Sequence, residues 1–346
     1  MTQGPTASTI KTEQFVREVL ATIDRDRERE IISRRFGLFD RKETLEQIGE
    51  MLGITRERVR QLEKAVITRL RGAAEQGILP NINEFQEQVL GNLSNFGNVA
   101  RVSQLASKLS DEPGREGQAR FAFLSSLAPL LLVINEDDNF YHAVSIRSAY
   151  SEKALKDKVS KLIETIKKGG EPQSIEQIAK TGNLSDPKEA AALASISKQL
   201  ATLNGRWGLI KWPMVNPKNI RDKIYVILKE NGKHMHFNEI AAAIKSSDFK
   251  RKDVTTQAIH NELIKDKRFV LIGRGIYALK EWGYQKGTVA DIISDVLRQA
   301  QEPLHRDEIV KRVLKSRFVK ETTILLNLQG KPQFKRVAKA TYALAE

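Results

Sequence analysis

The 346-residue chain contains no cysteine. That excludes a thiolate nucleophile, a disulfide framework and any zinc site built on cysteine, and it fits a reducing compartment. Histidine is scarce too: His142, His234, His236, His260 and His305 are all there are. His234 and His236 make an HxH pair, yet no third ligand stands at metal-binding spacing, so a solvated turn is the expectation and no metal or other cofactor is implied. Long apolar runs are missing. No stretch approaches the roughly twenty residues of a membrane span, and the polar opening MTQGPTASTIKT has no apolar centre for a signal peptide. A soluble, cytoplasmic protein is expected. Gly273-Arg274-Gly275 lacks the Gly-Lys and the strand-to-helix setting of a phosphate loop. These absences leave little with which to build a catalytic centre, and a protein without enzymatic activity is the expectation.

What the chain does have is positive charge. Lysine and arginine number 57 against 43 aspartate and glutamate, a net +14, which favours a polyanionic partner. Arg25 to Arg71 carries 13 basic and 9 acidic residues, and Pro217 to Tyr284 carries 14 and 8. Glu84 to Arg147 is the exception, with 5 basic and 8 acidic, and this acidic stretch is expected to pack on protein rather than on DNA. Its apolar run Leu130 to Ile134 reads first as a core strand.

The most specific pattern is TLEQIGEMLGITRERVRQLEKAVITRLR, Thr44 to Arg71. Thr44 with Gln47 has the form of a capping box opening a short helix whose Leu45, Ile48, Met51 and Leu52 point to a core. Gly53 can adopt the left-handed conformation that ends it, and Thr55 caps a second helix. There Val59, Leu62, Val66 and Leu70 form the inward stripe, while Arg56, Glu57, Arg60, Gln61 and Lys64 face out. Long donors on a helix that enters the major groove fork onto guanine, and a carboxylate accepts from the cytosine amino group. A merely solvated charged face is the competing reading of those residues.

The longer string FGLFDRKETLEQIGEMLGITRERVRQLEKAVITRLR resembles region four of the sigma-70 family, the promoter-specificity subunits of bacterial RNA polymerase. The resemblance covers about Asp24 to Arg71 and includes the helix beginning at Asp24 that in the family helps dock onto the polymerase flap. It implies that Arg56, Glu57, Arg60 and Gln61 read the upstream promoter element of double-stranded DNA, with Arg58 and Lys64 as phosphate contacts, and that the flap of the polymerase core is a partner. The aromatic-rich sigma region that melts the downstream element has no counterpart here, and Trp207, Trp212 and Trp282 all lie far downstream.

The remainder is a repeat. Four segments, 84–147, 151–215, 219–284 and 288–346, each read as an opening helix, a short helix-turn-helix and a terminal two-stranded hairpin, which describes a winged helix. The expected organisation is mainly α: an N-terminal extension (1–23), a helix-turn-helix (24–75) and four tandem winged-helix modules, with 72–83 and 213–219 as linkers. DKRFVLIGRGIYALKEWGY in the third segment resembles HARE-type helix-turn-helix domains, seen in the delta subunit of bacterial RNA polymerase, and the fourth segment resembles them more weakly. Delta's long acidic tail has no equivalent in the segment ending Tyr342-Ala-Leu-Ala-Glu346. Arg274, Lys335 and Arg336, with Lys339, are candidate wing contacts to DNA. The sequence therefore predicts a sequence-specific, sigma-like transcription factor, with a delta-like polymerase accessory subunit and the DNA-sensing subunit of a restriction or defence system as alternatives. It leaves the oligomeric state and the target motif open.

Overall fold

Short amphipathic helices separated by strands of two to five residues dictate layers built from helix pairs with small sheets at their edges. The computed structural model describes residues 9–112, 114–184, 186–249, 251 and 253–345. Four helices come first: α1 (Thr12–Ala21), α2 (Asp26–Phe36), α3 (Leu45–Leu52) and the long α4 (Arg56–Glu75). The first repeat follows as α5 (Ile82–Asn95), β1 (Val99–Arg101), α6 (Val102–Leu109), α7 (Arg115–Leu127), β2 (Leu131–Ile134) and β3 (Ala143–Ile146). The second is α8 (Glu152–Gly169), β4 (Gln173–Ser174), α9 (Ile175–Thr181), α10 (Pro187–Ser195), β5 (Leu200–Leu203) and β6 (Arg206–Leu209). The third is α11 (Ile220–Asn231), β7 (Met235–His236), α12 (Phe237–Ser246), α13 (Thr256–Lys265), β8 (Phe269–Gly273) and β9 (Ile276–Leu279). The fourth is α14 (Val289–Ala300), β10 (Leu304–His305), α15 (Arg306–Ser316), α16 (Glu321–Gly330), β11 (Phe334–Ala338) and β12 (Thr341–Leu344).

Every repeat has the same three-stranded antiparallel sheet, with its last strand in the middle between the hairpin partner and the short first strand. That is winged-helix topology. The central strand pairs Val133 with Val144 in the first repeat and Met235 with Tyr277 in the third. The short first strands escape sequence reading because two or three residues carry no measurable period.

The chain divides into two compact units, one ending at Lys211 and the other starting at Trp212. In the first, one apolar core runs from Val16 and Val19 of α1, through Val66, Leu70 and Ala74 of α4, to Phe85 and Val89 of α5 and Phe121 and Phe123 of α7. The segment 72–83, expected as a linker, is part of this core: α4 continues to Glu75, and Leu79 and Ile82 are buried with it. A module of about sixty residues buries too little apolar surface alone, and fusing the two cores makes good the shortfall. The first two repeats are also locked together. Tyr141 N–H donates to the Ile196 carbonyl at 2.9 Å, Lys198 N–H donates to the Asn139 carbonyl at 2.7 Å, and the Arg101 guanidinium donates to the Ser195 carbonyl. In the second unit, the core of the fourth repeat gathers Ile292, Ile293, Ile309 and Leu328. His234 of the third repeat meets Phe318 of the fourth at 4.4 Å between ring centroids.

Candidate nucleic-acid interface

The helix-turn-helix is made by local chemistry at each end of α3. Thr44 Oγ1 accepts from Gln47 N–H at 3.2 Å while Gln47 Oε1 accepts from Thr44 N–H at 2.9 Å, the reciprocal capping box. At the other end Gly53 sits at φ 65°, the left-handed conformation that turns the chain out of the helix. Ile48 is fully buried against Ile31 of α2 and Val59 of α4, with Leu45, Leu52, Ile54 and Leu62 packed around them. Met51 departs from the expected inward stripe and is 44% exposed. Leu45, Ile48 and Leu52 fall along one line of so short a helix, and Met51 stands to its side.

Gly49 matters in a way the sequence pattern does not disclose. A Cβ at this position would lie 2.6 Å from the Ile54 carbonyl oxygen, so the turn closes directly over the glycine backbone. Ile54 N–H donates to the Gly49 carbonyl at 2.9 Å, which fixes that approach.

Helix α4 begins at the Thr55 cap, whose hydroxyl accepts from Arg58 N–H at 3.2 Å. At 1.5 Å per residue its twenty residues span roughly 30 Å. Two separate cores hold it: Val59 sits in the helix-turn-helix core, and Val66 and Leu70 sit in the core of the unit. Ion pairs to α2 brace its flank, Arg35 to Glu63 at 3.3 Å and Arg69 to the buried Glu28 at 2.8 Å. The Arg27 guanidinium also donates to the Leu52 carbonyl, tying α2 to the end of α3.

All six residues singled out on α4, Arg56, Glu57, Arg58, Arg60, Gln61 and Lys64, are exposed. Arg60 grips Glu57 through both ends of its guanidinium fork, at 2.9 and 2.6 Å, and Gln61 donates to the same carboxylate at 3.4 Å. The hydrogen bond and charge of Arg60 hold the Glu57 carboxyl below its ordinary range. Arg58 donates to Gln61 at 3.3 Å from the edge of this face. Arg56 reaches back across the turn to Glu46 of α3 at 3.0 Å, and Glu46 is likewise held acidic by that contact. Glu46 and Glu63 did not emerge from the sequence, because their partners lie ten and twenty-eight positions away with no local pattern to mark them.

The face is thus preorganised yet fully wet. Its guanidinium groups are positioned by carboxylates that are solvent-exposed and so contribute little to folding, which leaves donors available to a polyanion. The apolar side of α2, Ile31 and Ile32, is buried within the chain, and the exposed charge lies at its N-terminal end: Asp24 and Arg25 just before the helix, Asp26 and Arg27 in its first turn. Arg274, at the wing turn of the third repeat, and Lys335 and Arg336, on β11, are exposed and belong to the second unit. Arg336 Nε donates to the Ala338 carbonyl at 3.2 Å across a bulge. His236, one half of the HxH pair, accepts from Asn238 N–H at 3.3 Å as a helix cap.

Comparison with known proteins falls on the same stretch. Two relatives, the RNA polymerase sigma factor RpoD from two strains of Helicobacter pylori, are each 41% identical over 76 residues, covering 21% of this chain. The chain spans 11% of the length of these curated relatives. Residues 25–72, from the start of α2 almost to the end of α4, match the family model for Sigma-70, region 4.

Proposed function

We propose that this chain is a sequence-specific DNA-binding transcription factor that reads promoter DNA with the first three turns of α4 and contacts RNA polymerase to regulate initiation. The observation that carries the reading is the exposed, mutually oriented set Arg56, Glu57, Arg60 and Gln61 on a helix anchored in two cores. In a major groove, Arg60 released from Glu57 forks onto guanine, Glu57 accepts from cytosine, and Arg58 and Lys64 take flanking phosphates. Polymerase contact through α2 uses its charged N-terminal end, since the apolar side is occupied. The action is recruitment or competition, with no chemical step.

Selection from random duplexes, with and without core polymerase, tests this. A defined motif is expected, and Arg60→Ala should cost about 1 to 3 kcal/mol at that site while relaxing base preference at one position. Equal loss on every sequence makes Arg60 a phosphate contact. Capture of polymerase with no selected motif makes the protein an accessory subunit and defeats the proposal.

A further inference from the structure

The repeats share a topology, but they do not present the same surface. In the first, α7 is enclosed by α1, α2, α4, α5 and α6; in the second, α10 packs on α8, α9, β1 and β5. The equivalent helix of the third repeat is open. Only Ile259 and Leu263 of α13 are buried, while Gln257, Asn261, Ile264 and Lys265 are exposed, Ile264 at 60%. Gln257, His260, Asn261 and Ile264 are spaced by three and four residues and make one stripe. Within it the Gln257 amide donates to Asn261 Oδ1 at 3.1 Å.

The wing lies beside this stripe. His260 packs on Phe237 at 5.1 Å and on Tyr277 at 6.2 Å. Phe237 and His236 in turn lie under the wing turn, where a Cβ on Gly275 would meet the His236 ring at 2.5 Å and Phe237 at 3.0 Å. Arg274, exposed, stands next to that glycine. The acidic groups of this repeat are largely committed: Asp222 and Asp266 to Arg268, Glu262 to Arg221, Glu281 to Lys229. The surplus charge of the segment is therefore basic.

We propose that α13 and the wing turn of the third repeat form a second duplex-DNA surface, one that favours A·T pairs. Carboxamides pair bidentately with the N6 and N7 edge of adenine, which suits Gln257 and Asn261, and Ile264 supplies an apolar contact for the thymine methyl. An arginine at a wing tip suits the narrow, strongly negative minor groove of A-tracts. The fourth repeat is not equivalent, because α16 presents Leu326 at 68% exposure in place of an amide pair. This extends the role proposed for α4 and stands on other residues, so either can fail alone.

The test uses the full chain carrying Arg56→Ala, Glu57→Ala, Arg60→Ala and Gln61→Ala together, so that α4 contributes no base preference, and measures anisotropy on an A·T-rich and a G·C-rich duplex of equal length. Tighter binding to the A·T-rich duplex is expected. Adding Gln257→Ala and Asn261→Ala should reduce that preference about tenfold while leaving G·C-rich affinity nearly unchanged. Adding Arg274→Ala instead should weaken both and flatten the log–log salt dependence by about one unit. Melting curves matching those of the parent verify that these surface variants fold. An unchanged preference in the double variant overturns the proposal. So does loss of core polymerase capture with both duplex affinities unmoved, which would make the surface a protein contact. A motif still selected by the chain with the α4 face intact, after the third repeat is altered, leaves the α4 reading standing.

Discussion

Helices α4 and α7 hold the same place in their motifs, each following a short helix and a turn, yet they have opposite fates. The first three turns of α4 bury one valine line and expose a charged face. In α7, Arg120, Phe121, Ala122, Phe123, Leu124, Ser125 and Leu127 are all buried. RERVRQLEKAV has one apolar stripe, and ARFAFLSSL is apolar nearly all round, the signature of a helix enclosed by neighbours. A helix-turn-helix pattern therefore specifies a shape, and the polarity around its second helix decides whether that helix is sealed in a core or presents a face to solvent.

The contrast is easiest to break at its apolar end. Phe121 is fully buried, with its ring 5.0 Å from Phe85 in a T-shaped contact. Phe121→Ala should cost about 3 to 5 kcal/mol in urea unfolding. A loss below about 1 kcal/mol would mean α7 is not the centre of the core.

Arg120 comes next. It is 3% exposed, donates from Nε to the Leu38 carbonyl at 2.7 Å, pairs with Glu112 and with Glu116 at 3.3 Å, and lies 5.3 Å from the centre of the Phe39 ring. It thereby pins the loop before α3 to α7. Arg120→Ala strands a buried carbonyl and should cost about 2 to 4 kcal/mol, read in the same denaturation, while folded protein keeps its DNA affinity.

Gly49→Ala attacks the exposed motif from inside. The added methyl must displace the Ile54 carbonyl, at about 1 to 3 kcal/mol, and because that changes the angle between α3 and α4, DNA affinity should fall with it. Wild-type binding in a stably folded variant would show the turn to be more compliant than its packing implies.

The smallest effect sharpens the comparison through pH. His142 of the first repeat is kept below its ordinary pKa by burial and then by the Lys42 charge, and its Nε2 has no hydrogen-bond partner. A histidine held neutral stabilises the fold above its unfolded pKa of about 6.5, and that contribution is lost as pH falls through the folded value. Stability should therefore fall as pH drops below about 6.5, less steeply in His142→Gln, while the face of α4, which carries no histidine, binds DNA with unchanged affinity when folded. Parallel slopes for the two proteins would exclude His142 as the source.

Much of the candidate site was legible in advance. The capping box, the glycine stop, the inward Val59, Val66 and Leu70 and the outward charged set are local patterns, each set by residues within one or two turns. The hairpins were legible for the same reason. Glu46, Gly49 and Glu63 were not, because an ion pair across a turn or a backbone contact over a glycine leaves no period. Met51 misled because eight residues are too few to fix the edge of a stripe.

The sequence by itself determined which segments are helices, which end in wings, and which side of α4 is charged, since propensity, capping and periodicity act over a few residues. Only the tertiary structure decided that 72–83 is core rather than linker, that α7 and α10 are sealed while α13 is open, and that α2 spends its apolar side inside the chain. Those outcomes depend on which surfaces meet at long range, where modules too small to bury enough apolar area alone must share a core with a neighbour.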